Sequence, residues 1–245
     1  MKADPSRQAR LLDLAGLDTR SSQLAHRRAN LPETKRHAEL AAELEEVHTD
    51  LVRARTAHDD VQREISKAEA DVQLVRDRAA RNQSRLDAGQ GSAKDLQALQ
   101  HELVSLARRQ AELEDVELEV VERAEGLGER AEALAARHEK VAATVAEAAT
   151  ARDAALGTIA TEEEQVADER RTVVTEIGDD LLALYEKIRA QTGVGAAELN
   201  QRRCEGCRLE LLGADLRRIA AAAADDVVRC EECRRILVRT DASGL

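Results

Sequence analysis

The chain has 245 residues, a formal net charge of −11, and neither Phe nor Trp, with Tyr185 its only aromatic of that class. Aromatics carry much of the buried area of ordinary globular cores, so a conventional globular domain of this size is disfavoured. Ala, Leu, Val, Glu and Arg dominate and only Pro5 and Pro32 are prolines, which is the profile of long helices or coiled coil.

Charge is unevenly placed. From Asn200 onward there are nine Arg against eight Asp or Glu, a balance of +1, which leaves −12 on the remainder. The long acidic part is therefore a poor surface for a polyanion. No apolar run approaches the ~20 residues needed to span a bilayer, so no membrane partner is expected. With no export signal and cysteines that read as unoxidised, the expected compartment is the cytoplasm.

Pro5 to about Arg28 has helical patterning, with Leu11, Leu14, Leu17 and Leu24 as apolar contacts. Asn30-Leu31-Pro32-Glu33 interrupts it, since Pro32 suits a first helical turn and not an interior, so a break or kink is expected near 30–32. From Leu40 through Leu44, Val47, Leu51, Ala54, His58, Val61, Ile65 and on to Leu86, apolar positions advance by four and three, a sustained heptad seam. Gly89 and Gly91 punctuate a turn near 87–92, and Ser92 with Asp95 resembles a capping box that starts a second helix. Its seam runs from Leu99, Leu103, Leu106, Gln110 and Leu113 to Leu184 and Ile188, as one helix ended by Thr192-Gly193-Val194-Gly195.

The two helical stretches nearly match in length. Residues 1–192 are therefore predicted to form an antiparallel coiled-coil hairpin, on the order of 120 Å long at 1.5 Å per residue. A parallel dimer that ignores the Gly-rich break is the alternative, and the short linker favours the intramolecular pairing. His58, Asn82, Gln110, His138 and Arg152 are polar seam positions, read as register-setting or half-exposed rather than as metal ligands.

Residues 193–245 read as a second domain. Its only cysteines form two C-x-x-C turns, Cys204-Glu205-Gly206-Cys207 and Cys230-Glu231-Glu232-Cys233. Each turn brings two thiolates to one point, so the pair suits a tetrahedral site with Zn–S of roughly 2.3 Å. Two disulfides or a redox motif compete with zinc. The first would suit a secreted chain and the second a βαβ pattern, which is absent. Four thiolates leave no open position, so the Zn2+ expected here is structural. Val194–Leu199, Val227–Arg229 and Ile236–Val238 read as strands and Asp215–Ala224 as a short helix, which together make a zinc ribbon. The fold class is thus mostly α: a long antiparallel coiled-coil hairpin with a small C-terminal four-cysteine zinc-ribbon domain.

Three stretches resemble the bacterial C4-type zinc-ribbon coiled-coil proteins. They are Ala93-Lys94-Asp95-Leu96-Gln97-Ala98-Leu99-Gln100-His101-Glu102-Leu103 at the turn, Leu113-Glu114-Asp115, and the ribbon stretches Cys207–Leu211 and Cys230–Val238. Two departures stand out. Leu212-Gly213 occupies a place where members often carry prolines, and Arg234 follows the last cysteine where a glycine is common. The resemblance implies no enzymatic activity. It implies adaptors that contact a sigma factor of RNA polymerase, or RNA, with some members tied to flagellar gene control.

The expected function is accordingly a non-enzymatic, zinc-binding adaptor for a protein partner, with no small-molecule substrate. Lys94, Asp95, Gln97, Gln100 and His101 form its candidate binding tip. The alternative is nucleic-acid binding by the ribbon through Arg202, Arg203, Arg208, Arg217, Arg218, Arg229, Arg234, Arg235 and Arg239. Without an aromatic to stack on bases, such binding would be backbone-driven and salt-dependent.

Overall fold

The structure is a computed structural model that describes residues 1–245. Helices α1 (Pro5–Ala29), α2 (Pro32–Asp87), α3 (Ala93–Ile177) and α4 (Asp179–Thr192) precede strands β1 (Ala196–Asn200) and β2 (Arg203–Cys204). Helix α5 (Gly213–Ala221), strands β3 (Val228–Arg229) and β4 (Ile236–Arg239) and a 3-10 turn at Asp241–Ser243 complete the chain. Two compact units result, one of residues 35–149 and one of residues 1–34 with 150–245.

In the first unit, α2 and α3 pair as an antiparallel hairpin. Leu44, Leu51 and Ile65 take a positions and Val47, Ala54 and Val61 take d positions; on α3, Leu99, Leu106, Leu113 and Val120 are d. Val61, Val120 and Ala124 share one core cluster, with Ile65 and Leu127 packed against it. Interhelical ion pairs then fall where antiparallel pairing requires them. Arg137–Glu43 at 3.0 Å, Arg123–Glu64 at 2.6 Å and Arg78–Glu102 join g to g, and Arg76–Glu114 at 2.6 Å joins e to e. At the turn, Ser92 N–H donates to Asp95 Oδ2 at 2.9 Å and Asp95 N–H to Ser92 Oγ at 3.3 Å, so the capping box forms with Asp in the Glu place.

In the second unit, α1 starts at Asp4, whose carboxylate accepts from Ser6 N–H at 2.8 Å, with Pro5 in the first turn. It ends at Asn30. Of the break or kink expected at 30–32 the chain makes a complete helix break, and Leu31 there stays buried with Leu24, Ile159 and Val166. A second break corrects the single helix expected to run to 192. Gly178 adopts φ +91 between α3 and α4, and a Cβ there would come within 3.0 Å of Arg7 Nη1. Asp179 and Asp180 follow in the first turn of α4, where the helix dipole favours acids.

The sheet order is β2-β1-β4-β3, with β1 parallel to β4 and the other pairs antiparallel. Ala196, Ile236 and Val238 from this sheet bury against Leu11, Leu14, Ile177, Leu181, Tyr185 and Ile188. One face of the ribbon sheet thus shares a core with α1, α3 and α4. The opposite face of the sheet carries a second core of Ala197, Leu199, Leu211, Ile219, Val228 and Leu237 around Cys204 and Cys230.

Three features of this unit have no sequence counterpart. The N-terminal residues join the ribbon as Ala3 N–H donates to Asp225 O at 2.8 Å and Val227 N–H to Met1 O at 3.1 Å. Helix α5 ends at Ala221, not at Ala224. Past that end, the carbonyls of Ala222, Ala223, Ala224 and Asp226 are taken by the Arg239 guanidinium at 2.7–3.0 Å, which pins the connection from α5 to β3. Finally, Asp18, 1% exposed, accepts from Tyr185 Oη at 2.6 Å, Arg170 Nε at 2.8 Å and Arg189 Nε at 2.9 Å.

Candidate metal centre and ribbon surface

The four cysteines converge. Their sulfurs all lie within 4.8 Å of one another, with Cys204 Sγ 3.8 Å from Cys233 and Cys207 Sγ 3.9 Å from Cys230. A tetrahedron with Zn–S of roughly 2.3 Å has edges of about 3.8 Å. The thiols are free and far outside S–S bonding distance, which removes the disulfide reading. Donor set and spacing fit zinc, and no other cluster of three or more ligating side chains occurs.

Each knuckle is built the same way. Arg208 N–H returns to Cys204 O at 2.7 Å, and Arg234 N–H returns to Cys230 O at 3.0 Å. This tight turn puts Arg208 and Arg234 in the left-handed region, both at φ +62. The strain expected at Arg234 is present, and Arg208 shares it. Gly206 answers a different demand, since a Cβ there would lie 2.7 Å from Arg235 Cδ and 2.9 Å from Ala197 Cβ.

Thiol electrostatics follow from burial and backbone dipoles. Burial pushes Cys204 and Cys230 up, against the N–H groups of Cys207 and Gly206 on the former and of Cys233 and Glu232 on the latter. At Cys233 burial is outweighed by hydrogen bonds from the Arg235 backbone and side chain, and the thiol is lowered. A divalent cation would remove the conflict, since thiolates that repel one another are each stabilised by the metal.

The nine ribbon arginines do not form a free basic face. Arg235 donates to the carbonyls of Val194, Gly206 and Thr192, tying the end of α4 to the first knuckle. Arg239 holds the carbonyls that follow α5, Arg229 donates to Arg234 O at 2.9 Å and Arg202 to Gly244 O at 3.2 Å. Arg203 pairs with Glu205, Arg218 with Asp215 and Glu231, and Arg234 with Glu231. Arg208 and Arg217 are exposed and make no such bond. Beside them Leu209 and Leu212 are 49% and 71% exposed. The departure at Leu212 thus puts a bare leucine on the surface, a feature visible in the sequence only as a missing proline.

Lys94, Asp95, Gln97, Gln100 and His101 are all exposed on the first three turns of α3. Asp95 is occupied as a cap, and its hydrogen bonds from Ser92 hold its carboxyl below the usual range. Of the seam histidines, His58 lies against Gly128 and His138 stands 5.5 Å, centroid to centroid, from His48. No helix is long and apolar enough to cross a membrane.

Comparisons with known proteins agree with this geometry. Residues 14–193 match the CT398-like coiled coil hairpin domain, and residues 203–237 match the C4-type zinc ribbon domain. An uncharacterized protein of Mycobacterium tuberculosis is 39% identical over 241 residues, 98% of each chain. A solved structure from Mycobacterium smegmatis superposes with a TM-score of 0.88 at 41% identity, covering 98% of this chain and 100% of that one. CT398 from Chlamydia trachomatis, at 16% identity and TM-score 0.69 over 96% of this chain and 98% of that one, shares the fold.

Proposed function

The chain belongs to the family of CT398-like coiled coil hairpin proteins with a C4-type zinc ribbon, and from that premise we propose that it is a non-enzymatic adaptor that binds zinc and engages a protein partner through the ribbon. Zn2+ held by Cys204, Cys207, Cys230 and Cys233 fixes the two knuckles, and in small modules such binding supplies about 10–16 kcal/mol of apparent folding energy. One observation carries the partner reading: Leu209 and Leu212 stand exposed on the segment that leads from the first knuckle into α5, with the unpaired Arg208 and Arg217 on the same stretch of chain. Exposed apolar side chains edged by unpaired charge are the makings of an interface centre. The matching partner surface is apolar and acidic, and transcription machinery in the cytoplasm is the class that the family resemblance implies.

Nucleic-acid binding has weaker support, because seven of its nine arginines are bound to carbonyls or carboxylates of the chain itself. Affinity purification from the native cell, with and without RNase, separates the two readings. Wild-type protein is expected to retain its partners after RNase, and Leu209→Ser/Leu212→Ser to lose them. Unchanged partners with that variant, or partners lost on RNase treatment, would sink the proposal.

A further inference from the structure

Helix α3 carries two apolar seams, and the chain itself uses one. The second runs through Val104, Ala107, Ala111, Leu118 and Val121, spaced by three and four once Glu114 is counted between Ala111 and Leu118. It lies about 100° around the helix from the seam that faces α2. Val104 is 64% exposed and Leu118 59%; Ala107 and Ala111 are exposed and Val121 half-buried. Such positions on a two-helix hairpin are normally polar. Glu114 occupies the one polar place in the stripe and is already bonded to Arg76 at 2.6 Å and Gln110 at 2.9 Å.

Along one flank, at intervals of seven, run Lys94, His101, Arg108, Asp115, Glu122 and Glu129, all exposed. None of these six makes an ion pair within the chain, whereas the adjacent Arg109 and Arg123 pair with Glu112 and Glu64. Read from the turn, the line is basic for three heptads and then acidic for three. Read from the other end, the signs reverse.

We propose that a second copy of this chain docks on this face of α3, antiparallel, about a twofold axis between Ala111 and Glu114. In that register Val104 packs on Val121 of the other copy, Ala107 on Leu118, and Ala111 on the aliphatic stem of Glu114. The flank then closes completely: Lys94 meets Glu129 of the second copy, His101 meets Glu122, and Arg108 meets Asp115, each pair occurring twice by symmetry. A parallel pairing would set this flank against the opposite flank of the other copy and leave its charges unmatched. An unrelated partner would not require one line to be complementary to its own reversal; an isologous contact does. The a/d seam and this stripe, about a quarter-turn apart, give each α3 two neighbours in the manner of a four-helix bundle. The apolar area is modest, so the dimer is reversible and weakened by salt.

Sedimentation equilibrium of the full-length, zinc-loaded protein tests this. The expected result is a monomer–dimer equilibrium. Leu118→Glu and Arg108→Glu should each weaken association by about tenfold or more, with helicity unchanged because both sites are exposed. The double variant Arg108→Glu/Asp115→Arg, which restores the complementarity with its signs exchanged, should recover dimerisation to within about threefold of wild type. A strict monomer at all concentrations, a dimer indifferent to Arg108→Glu, or a double variant as weak as the single one would overturn the proposal.

Discussion

Replacing Asp18 with alanine removes the acceptor at the centre of the α1, α3 and α4 junction. The carboxylate is almost wholly buried, while the side chains of Arg170 and Arg189 are 25% and 38% exposed. Truncating one partner of a fully buried ion pair costs about 3–5 kcal/mol, because the opposing charge is left uncompensated. Here the loss is smaller. Both arginines keep Glu186, Arg189 at 3.0 Å, and both reach water. The Tyr185 hydroxyl has no such recourse, and an unsatisfied buried donor costs about 1–3 kcal/mol. A net loss of about 2–3 kcal/mol follows for Asp18→Ala, and about 1 kcal/mol for Tyr185→Phe, which leaves Asp18 two of its three donors. Urea titrations at fixed zinc concentration, followed by the fluorescence of Tyr185 and by far-UV circular dichroism for the Phe variant, measure both. If Asp18→Ala unfolds within about 0.5 kcal/mol of wild type, the network is not what holds α1 against α4.

Three further outcomes follow from the same geometry. Burial, and then the bond to Asp18, raise the Tyr185 phenol, whereas at Glu186 burial is outweighed by Arg170 and Arg189, which hold its carboxyl below the usual range. The raised group contributes stability that is lost as pH climbs above about 10, and the lowered one stability that is lost as pH falls below about 4. Phenolate absorbance, undisturbed by any other Tyr or Trp, should therefore appear only with alkaline unfolding, and a gradual titration near pH ~10 in folded protein would contradict it. Arg234→Gly relieves a left-handed non-glycine residue and should stabilise the ribbon by about 1 kcal/mol, read as slower zinc release to a chelator; faster release would count against the strain argument. Gly206→Ala should destabilise the ribbon by about 1–3 kcal/mol through the clash with Arg235 and Ala197, and a neutral effect on amide protection of β1 would refute that close approach.

Much of the architecture was legible because it is encoded at short range. The heptad spacing from Leu40 to Leu86, the glycines at 89 and 91 and the two C-x-x-C turns each act over a few residues, and the hairpin, its turn and the cysteine cluster follow from them. The break at Gly178 was missed because the apolar spacing of Val173, Ile177, Leu181 and Leu184 continues across it, and only the positive φ of the glycine marks the interruption. Asp18 looked like one acid among many, since nothing local tells that Tyr185, Arg170 and Arg189 will converge on it. Whether the ribbon arginines make a basic face or a charge-balanced surface was open in the sequence for a related reason. Counting charges cannot show that Arg235 and Arg239 are consumed by backbone carbonyls, which converge only once the strands are laid side by side. Lys2 and Ala3 carry no strand pattern of their own, yet they edge the ribbon at Asp225–Val227, a pairing between chain ends that nothing local announces.

The centre of this account is a zinc ion held by four thiolates that gives the ribbon its shape. Metal analysis of the purified protein, coupled to amide exchange before and after chelation, addresses it directly. A single zinc per chain is expected, absent from a Cys204→Ser/Cys230→Ser variant. Chelation should strip protection from β1 to β4 while the helices between 35 and 149 keep theirs. A protein that purifies without zinc yet protects the amides of β1 and β4 would contradict the account.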